Sequence, residues 1–264
     1  MSSWSVRDEL WELFGELLPA RPAQRAGRPR VDDRVAFNAV MYVLMTGIAW
    51  QHLPREVGCS PATADRRLHE WQRQGLWRAL HRELLRRLNA AGRIDWSAGV
   101  LHGSHIRALR GGSETGPSPV DRGRIGSKHH LHVDAGGVPL AVTLTGGNRN
   151  DVTQLLALID GIEPVTGKRG RPRRRPERVI ADRGYDHDKY RRELRRRGLK
   201  HRIARRGSDH GSGMGRERWV VERTFAWLHD FRRLRIRWEV DPELHLAFLY
   251  LGCAVICQRM LNWP

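Results

Sequence analysis

Cysteine is nearly absent: the 264 residues hold three, Cys59, Cys253 and Cys257. Three cannot build a disulfide framework, and their spacing matches no paired-cysteine zinc site. Cys253 and Cys257 lie one helical turn apart in an apolar run and read as helix core. Lysine is scarce too. Lys128, Lys168, Lys189 and Lys200 are the only four, so 43 of the 47 basic residues are arginine. Long apolar runs are missing. The longest, "LHLAFLYLGCAVIC" (244–257), is too short to cross a bilayer, carries His245, and reads as a buried C-terminal helix. "MSSWSVRDELWELFG" has neither the basic opening nor the apolar stretch of a secretory signal. The expected compartment is the cytoplasm, and no membrane partner is expected.

What is present is positive charge. Against 47 basic groups stand 29 acidic ones, a formal net charge of +18. An excess of that size points to a polyanionic partner, and nucleic acid is the leading one. Arginine forks phosphate bidentately, although GC-rich codon usage yields the same bias. Residues 1–96 hold 15 basic and 11 acidic groups and the remainder 32 and 18, so the excess lies mostly in the second part.

The first ninety residues read as helices. "VAFNAVMYVLMTGIAW" (35–50) is apolar nearly all round and should centre a small helical core. "SPATADRRLHEWQRQG" (60–75) opens with a capping serine and a proline at the first helical position. Ala64, Leu68 and Trp71 form its buried stripe, which leaves Arg66 and Arg67 outward. A buried helix, a turn and a second amphipathic helix resemble a helix-turn-helix, with Arg66 and Arg67 as DNA contacts. A solvated basic face in an ordinary bundle fits the same pattern.

After "AAGRIDWSAG" the period changes to two. "VLHGSHIRAL" (100–109), "SKHHLHVDA" (127–135) and "VPLAVTLTGG" (138–147) read as strands, with "DAGG" (134–137) as a hairpin turn. A helix near 151–161, a basic loop "KRGRPRRRP" (168–176) and a strand "RVIAD" (178–182) follow. A charged helix near 186–197, a strand "KHRIA" (200–204) and a helix from about 215 to 234 complete the order. Three strands followed by alternating helices and strands predict an α/β mixed sheet with flanking helices. The expected division is a helical, helix-turn-helix-like domain at 1–92 and a catalytic domain at 93–264.

Such an order suits a metal-dependent nuclease core, in which carboxylates from distant segments hold two divalent cations against a phosphodiester. Asp182, in "VIADRGYD", ends a buried strand before a glycine. An N-cap or turn aspartate fits as well, as it does for Asp186. Glu222 sits at the edge of the apolar face of "GRERWVVERTFAWLHDF", one turn after Arg218. A plain i,i+4 pair with Arg218 fits Glu222 equally. Trp219, Trp227 and Trp238 read as packing residues. Lys128 and the loop arginines Arg173 and Arg174 are expected to face phosphate.

The chain resembles the DDE-type transposases of bacterial insertion sequences, the IS-four/IS-five group. "GRPRVDDRVAFNAVMYVLMTGIAWQHLP", "GSHIRALRGG", "TGPSPVDRGRIGSKHHLHVDAGGVPLAVTLTGGNRNDVTQL", "ADRGYDHDKYRR" and "HGSGMGRERWVVERTFAWLHDFRRLRIRWE" carry the resemblance. It implies an RNase H-like domain that cuts element ends and joins them to target DNA with two magnesium ions, manganese being an alternative. It implies that Asp182 and Glu222 are metal ligands, with Arg218 beside them. It also implies double-stranded DNA partners, the terminal inverted repeats and the target, and a homo-oligomer on DNA. The first catalytic aspartate of the pattern falls at His102. That histidine reads as a decayed catalytic acid, a ligand in an altered site, or a packed strand residue. Imidazole has one lone pair and no negative charge, so it cannot bridge two magnesium ions. Impaired cleavage is therefore expected, and a DNA-binding remnant or repressor of transposition is the alternative. A zinc or manganese phosphoesterase built on His102, His105, His130, His132 and Asp134 is a third reading, weakened because 102 and 105 face opposite sides of a strand.

Overall fold

The structure, a computed structural model, describes residues 8–20, 29–207 and 215–262. Four helices come first: α1 (Asp8–Leu17), α2 (Asp33–Thr46), α3 (Pro61–Arg73) and α4 (Leu76–Ala90). Their boundaries have local causes. The Asp32 carboxylate accepts from the N–H groups of Arg34 and Val35 at the start of α2. Ser60 accepts from the Thr63 N–H at 3.2 Å, and Pro61 takes the first position of α3. Phe14, Phe37, Trp71 and Trp77 from all four helices meet with ring centroids 4.6 to 6.4 Å apart. Each aromatic pair adds about 0.5–1.5 kcal/mol beyond the area it buries.

The sheet follows. β1 (Gly99–Ala108), β3 (Ile125–Asp134) and β4 (Pro139–Gly146) are antiparallel neighbours, while β5 (Arg178–Ala181) and β6 (Lys200–Ile203) extend the sheet in parallel on the far side of β1. The order β4-β3-β1-β5-β6, with these directions, is that of an RNase H-like sheet. Two-residue strands β2 (Gly116–Pro117) and β7 (Ile236–Arg237) pair with β3 and β1. Helices α5 (Leu155–Asp160), α6 (Asp188–Arg196), α7 (Gly215–Asp230) and α8 (Pro242–Leu261) flank it. Successive residues of β1 serve opposite faces. Val100 joins the large core shared with the N-terminal helices and α8, whereas Leu101 joins a smaller cluster with Leu155, Tyr185 and Leu194. An all-helical start followed by a mixed sheet with helical cover is the architecture expected from the sequence.

Helix α8 is longer than the apolar run within it. At 20 residues and a mean hydropathy of 1.6 it has the length and composition of a membrane span, yet 67% of that window is buried, and α8 packs on α4, α3, α7 and β4. Arg67 departs from its expected outward position. It is 1% exposed, paired with Asp33 at 3.2 Å and Glu70 at 2.9 Å, and donates to the Val31 carbonyl. The carboxylates at the start of α2 and on its own helix draw the guanidinium inward, while Arg66 stays exposed. Trp219 and Trp238 also depart from the packing role expected of them, at 48% and 37% exposed, whereas Trp227 does pack on the core.

Candidate active site

Strand pairing brings the first two candidate residues together. Leu101 on β1 lies in register with Ala181 on β5, so the residues that follow them, His102 and Asp182, stand side by side. His102 Nδ1 lies 3.2 Å from Asp182 Oδ2. A carboxylate can only accept, so Nδ1 carries the proton of that bond and Nε2 is left facing outward from the pair. The ring also sets its edge on Phe225, 5.9 Å between centroids. Asp182 Oδ1 accepts from the Gly184 N–H at 2.8 Å, the capping role that its sequence position also allowed. Burial by itself would raise the Asp182 carboxyl, but His102, Arg218 and the Gly184 N–H outweigh it and hold the group below its usual range.

Helix α7 packs over β1, β3 and β5 and delivers the third candidate. Arg218 Nη2 stands 3.5 Å from Asp182 Oδ2 and 3.5 Å from Glu222 Oε1. The guanidinium thus lies between the two carboxylates, and Glu222, with its side chain 58% exposed, reaches Asp182 only through it. His102, Asp182, Arg218 and Glu222 thus form one chain of contacts just beyond the C-terminal end of β5.

Two divalent cations need a bridging carboxylate, and the residue between the strands is an imidazole. Arg218 already offsets the charge of the two carboxylates that remain. Among the described residues, no three His, Cys, Asp or Glu side chains are grouped to hold a metal ion. The residues present do not fit a pair of divalent cations. The histidine-rich phosphoesterase site is likewise not assembled. His130 Nε2 bonds Thr145, His132 Nδ1 bonds the Leu158 carbonyl, and burial pulls both rings down to about 4. Asp134 is buried and accepts from the N–H groups of Asp95, Gly136 and Val138, so it closes the hairpin and cannot stand in for the missing acid.

Lys128 requires correction as a phosphate contact. It is 6% exposed, and its ammonium bonds Asp151 Oδ1 at 2.9 Å and the Arg149 carbonyl at 2.7 Å. A basic residue on the central strands is drawn to the nearest buried carboxylate before it can reach solvent. Arg173 and Arg174 are exposed, but they lie in the segment that leads into the start of β5, whereas Asp182 follows its end.

Asp151 is the residue that sequence reasoning passed over. It begins the turn after β4, held by the Asn150 cap on Val152. A Cβ on Gly103 would stand 3.1 Å from Asp151 Oδ1, and one on Gly184 would stand 3.4 Å from its Oδ2 and 2.9 Å from Asp182 Oδ1. Asp151 therefore backs the pocket between His102's neighbour and Asp182's loop. Glycine at 103 is what admits it. The Tyr185 hydroxyl is buried with no hydrogen-bond partner among the described residues. Burial first, then the charges of Asp151 and Asp182, push it well above its usual range. A signal existed in "GNRND": β4 pairs with β3, so the turn after β4 had to return near Lys128, which faces Thr145 in register.

A family model described as "Transposase DDE domain" matches residues 94–257, and one for candidate transposases of the IS4/5 family matches residues 6–81. The chain is 60% identical over 152 residues to the candidate transposase for insertion sequence element IS402 of Burkholderia cepacia, covering 58% of this chain and 72% of that protein. It is 42% identical over 118 residues to the 16.2 kDa protein of the same element, covering 43% of this chain and 80% of that protein. It is 29% identical over 140 residues to the candidate transposase for element IS6501 of Brucella ovis, covering 50% and 98%. Among solved structures, the Mos1 mariner paired end complex with Mn aligns over 96% of this chain and 84% of that one, with a TM-score of 0.27 and 14% identity.

Proposed function

This chain belongs to the DDE-domain transposases of the IS4/5 kind, and from that premise we propose that it binds the DNA of an insertion sequence and is impaired in cutting it. Its substrates in this reading are element ends with their terminal inverted repeats, and target DNA. The net charge of +18 supports a polyanionic partner. Residues 1–92, with Arg66 on α3, serve as the end-reading part and residues 93–264 as the part that holds the reacting phosphate. Two protomers bridging two ends is the assembly that strand transfer requires, and the cytoplasm, at the nucleoid, is where that DNA lies.

One observation carries the impairment. His102 occupies the strand position beside Asp182 and is hydrogen-bonded to it at 3.2 Å, where a bridging acid is needed. Asp182 and Glu222 remain the ligands that a divalent cation, magnesium or manganese, would use once that acid is restored. What the chain itself offers a phosphodiester here is the Arg218 guanidinium, with the His102 ring beside it. The alternative, a remnant that binds ends without cutting them, is the limit of the same reading, and the Arg218 bridge across the two carboxylates favours it.

Removing an outer-shell partner at a metal site costs about 10–100-fold, and losing a bridging ligand costs more. Restoring it by His102→Asp should therefore raise metal-dependent nicking of an inverted-repeat duplex by more than about 100-fold, and Asp182→Ala in that background should abolish the gain. Manganese binding, followed by its paramagnetic signal, should appear in the His102→Asp chain and be weak in the parent. A parent chain that already nicks at the restored rate, indifferent to Asp182→Ala, would remove this account of the site.

A further inference from the structure

Away from His102 and Asp182, the surface carries a basic cleft. It has a volume of about 1360 Å³ and is lined by seven basic side chains against two acidic ones. Arg171, Arg173, Arg174 and Arg175 come from the loop before β5, Arg178 and Lys200 open β5 and β6, and Ile159, Ile162 and Leu199 line the cleft alongside them. β5 runs parallel to β6 from this cleft and delivers Asp182 at its other end. Four extended residues separate the two, about 13 Å at roughly 3.3 Å each. Cleft and candidate active site therefore stand at opposite ends of one strand.

The loop is preformed. Val165 and Arg173 exchange backbone hydrogen bonds at 2.7 and 3.0 Å, closing it as a tight arm. Asn89 on α4 donates to the Thr166 carbonyl at 2.7 Å. Gly167, at φ 101°, lies so close to α4 that any Cβ there would strike the Arg86 carbonyl. Arg175 is fixed by donating to the Arg197 carbonyl. Arg171, Arg173 and Arg174 have no acidic partner among the described residues and project as unneutralised guanidinium groups. Holding three such groups together opposes folding through self-repulsion, and a bound polyanion relieves it.

We propose that this cleft grips the phosphate backbone of a second DNA duplex, separate from the one whose phosphodiester faces Asp182. The lining contains no Phe, Tyr or Trp, and single-stranded nucleic acid is held by aromatic platforms on which bases stack. A cleft of guanidinium groups without such a platform fits a duplex, whose bases are already stacked and whose phosphates face outward. The inference rests on the reading of DNA as partner and adds to it a second, sequence-independent grip at the other end of β5 from the chemistry.

The test is a titration of the full chain with a fluorescent 30-base-pair duplex of arbitrary sequence, across a series of salt concentrations. The wild-type chain should take up two duplexes per protomer. In the Arg171→Ala, Arg173→Ala, Arg174→Ala chain the second duplex should bind more weakly, the salt slope of that second step, log K against log salt, being shallower by about 2.7, since each neutralised phosphate contributes about 0.9. The matching triple lysine chain retains the charges and should keep both the slope and the stoichiometry, which separates lost contacts from lost folding. One duplex per wild-type protomer, with a slope unchanged in the triple alanine chain, overturns the second grip alone. A single strand of the same sequence is titrated in parallel, and loss of its binding in the triple alanine chain with duplex binding intact overturns the choice of ligand. A wild-type chain that binds no duplex at all overturns both this inference and the DNA reading beneath it.

Discussion

Lys128 and Asp151 illustrate what a single buried charge demands. The lysine side chain is 8% exposed and the aspartate 24%, and their contact of 2.9 Å joins β3 to the turn after β4. Neither charge could lie there alone, since an unpaired buried ion costs several kcal/mol. Asp151→Ala leaves the ammonium with only the Arg149 carbonyl and should destabilise the fold by about 3 kcal/mol, the low end of the range for breaking a buried pair. Lys128→Met in that background should recover much of the loss, because it removes the orphaned charge rather than a contact. Urea unfolding of the four chains of the cycle decides it. Losses that simply add would mean that the two residues act independently, and a loss under about 1 kcal/mol would mean that water already satisfies the ammonium.

At the scale of the element, α3 separates two arginines that the sequence places next to each other. Arg66 is exposed, while Arg67 is clamped between Asp33 and Glu70. Arg66→Ala should reduce the salt slope of DNA binding by about 0.9, one phosphate's share, and leave the urea midpoint unmoved. Arg67→Ala should lower stability by about 3 kcal/mol and leave the slope of the folded fraction unchanged. The opposite assignment would put Arg67, not Arg66, on the DNA. Periodicity could not separate them, because the position that flanks a buried stripe faces inward or outward according to what the neighbouring helix offers. The same limit explains which parts of the molecule were legible. The main strands between 99 and 203 follow from local alternation and turn residues, but their order in the sheet, which puts 102 beside 182, is a matter of tertiary pairing. Periodicity shows Arg218 and Glu222 only as a pair one turn apart; their meeting with Asp182 was implied by the family resemblance alone, since the packing of α7 on β1 is a tertiary fact. Asp151 was invisible for a related reason. Its partner is 23 residues away and its role depends on a glycine that clears the space. Trp219 was misjudged because aromatic residues on a mostly apolar helix are more often buried. Here Arg223 lies over both Trp219, at 4.5 Å, and Trp227, at 4.6 Å, and holds the first of them at the surface.

At the scale of the whole molecule, the interior holds imidazoles as well as paired charges such as Arg67 and Lys128. The interior encloses several histidines in neutral form. Burial is the first cause in each case, and it holds His81, His130 and His132 at about 4 and His129 well below its usual range. In the unfolded chain each returns to about 6.5. Between those values the unfolded state binds protons that the folded state refuses, so stability rises with pH and is lost as pH falls from about 6.5 toward 4. Asp134 acts in the opposite sense. Burial raises it to about 6, so near pH 5 the folded state holds one proton that the unfolded chain releases. Three histidines against one aspartate leave a net uptake of about two protons on unfolding, or roughly 2.7 kcal/mol per pH unit at about 1.36 kcal/mol per proton. His129 adds to this in the same direction. The urea midpoint should therefore fall steeply between pH 6.5 and 4.5. His132→Asn should flatten that fall by about one proton, since the neutral amide no longer titrates. A profile level across this window would mean that water or a cation reaches the buried imidazoles, and that the two sides of the central strand are less dry than their burial indicates.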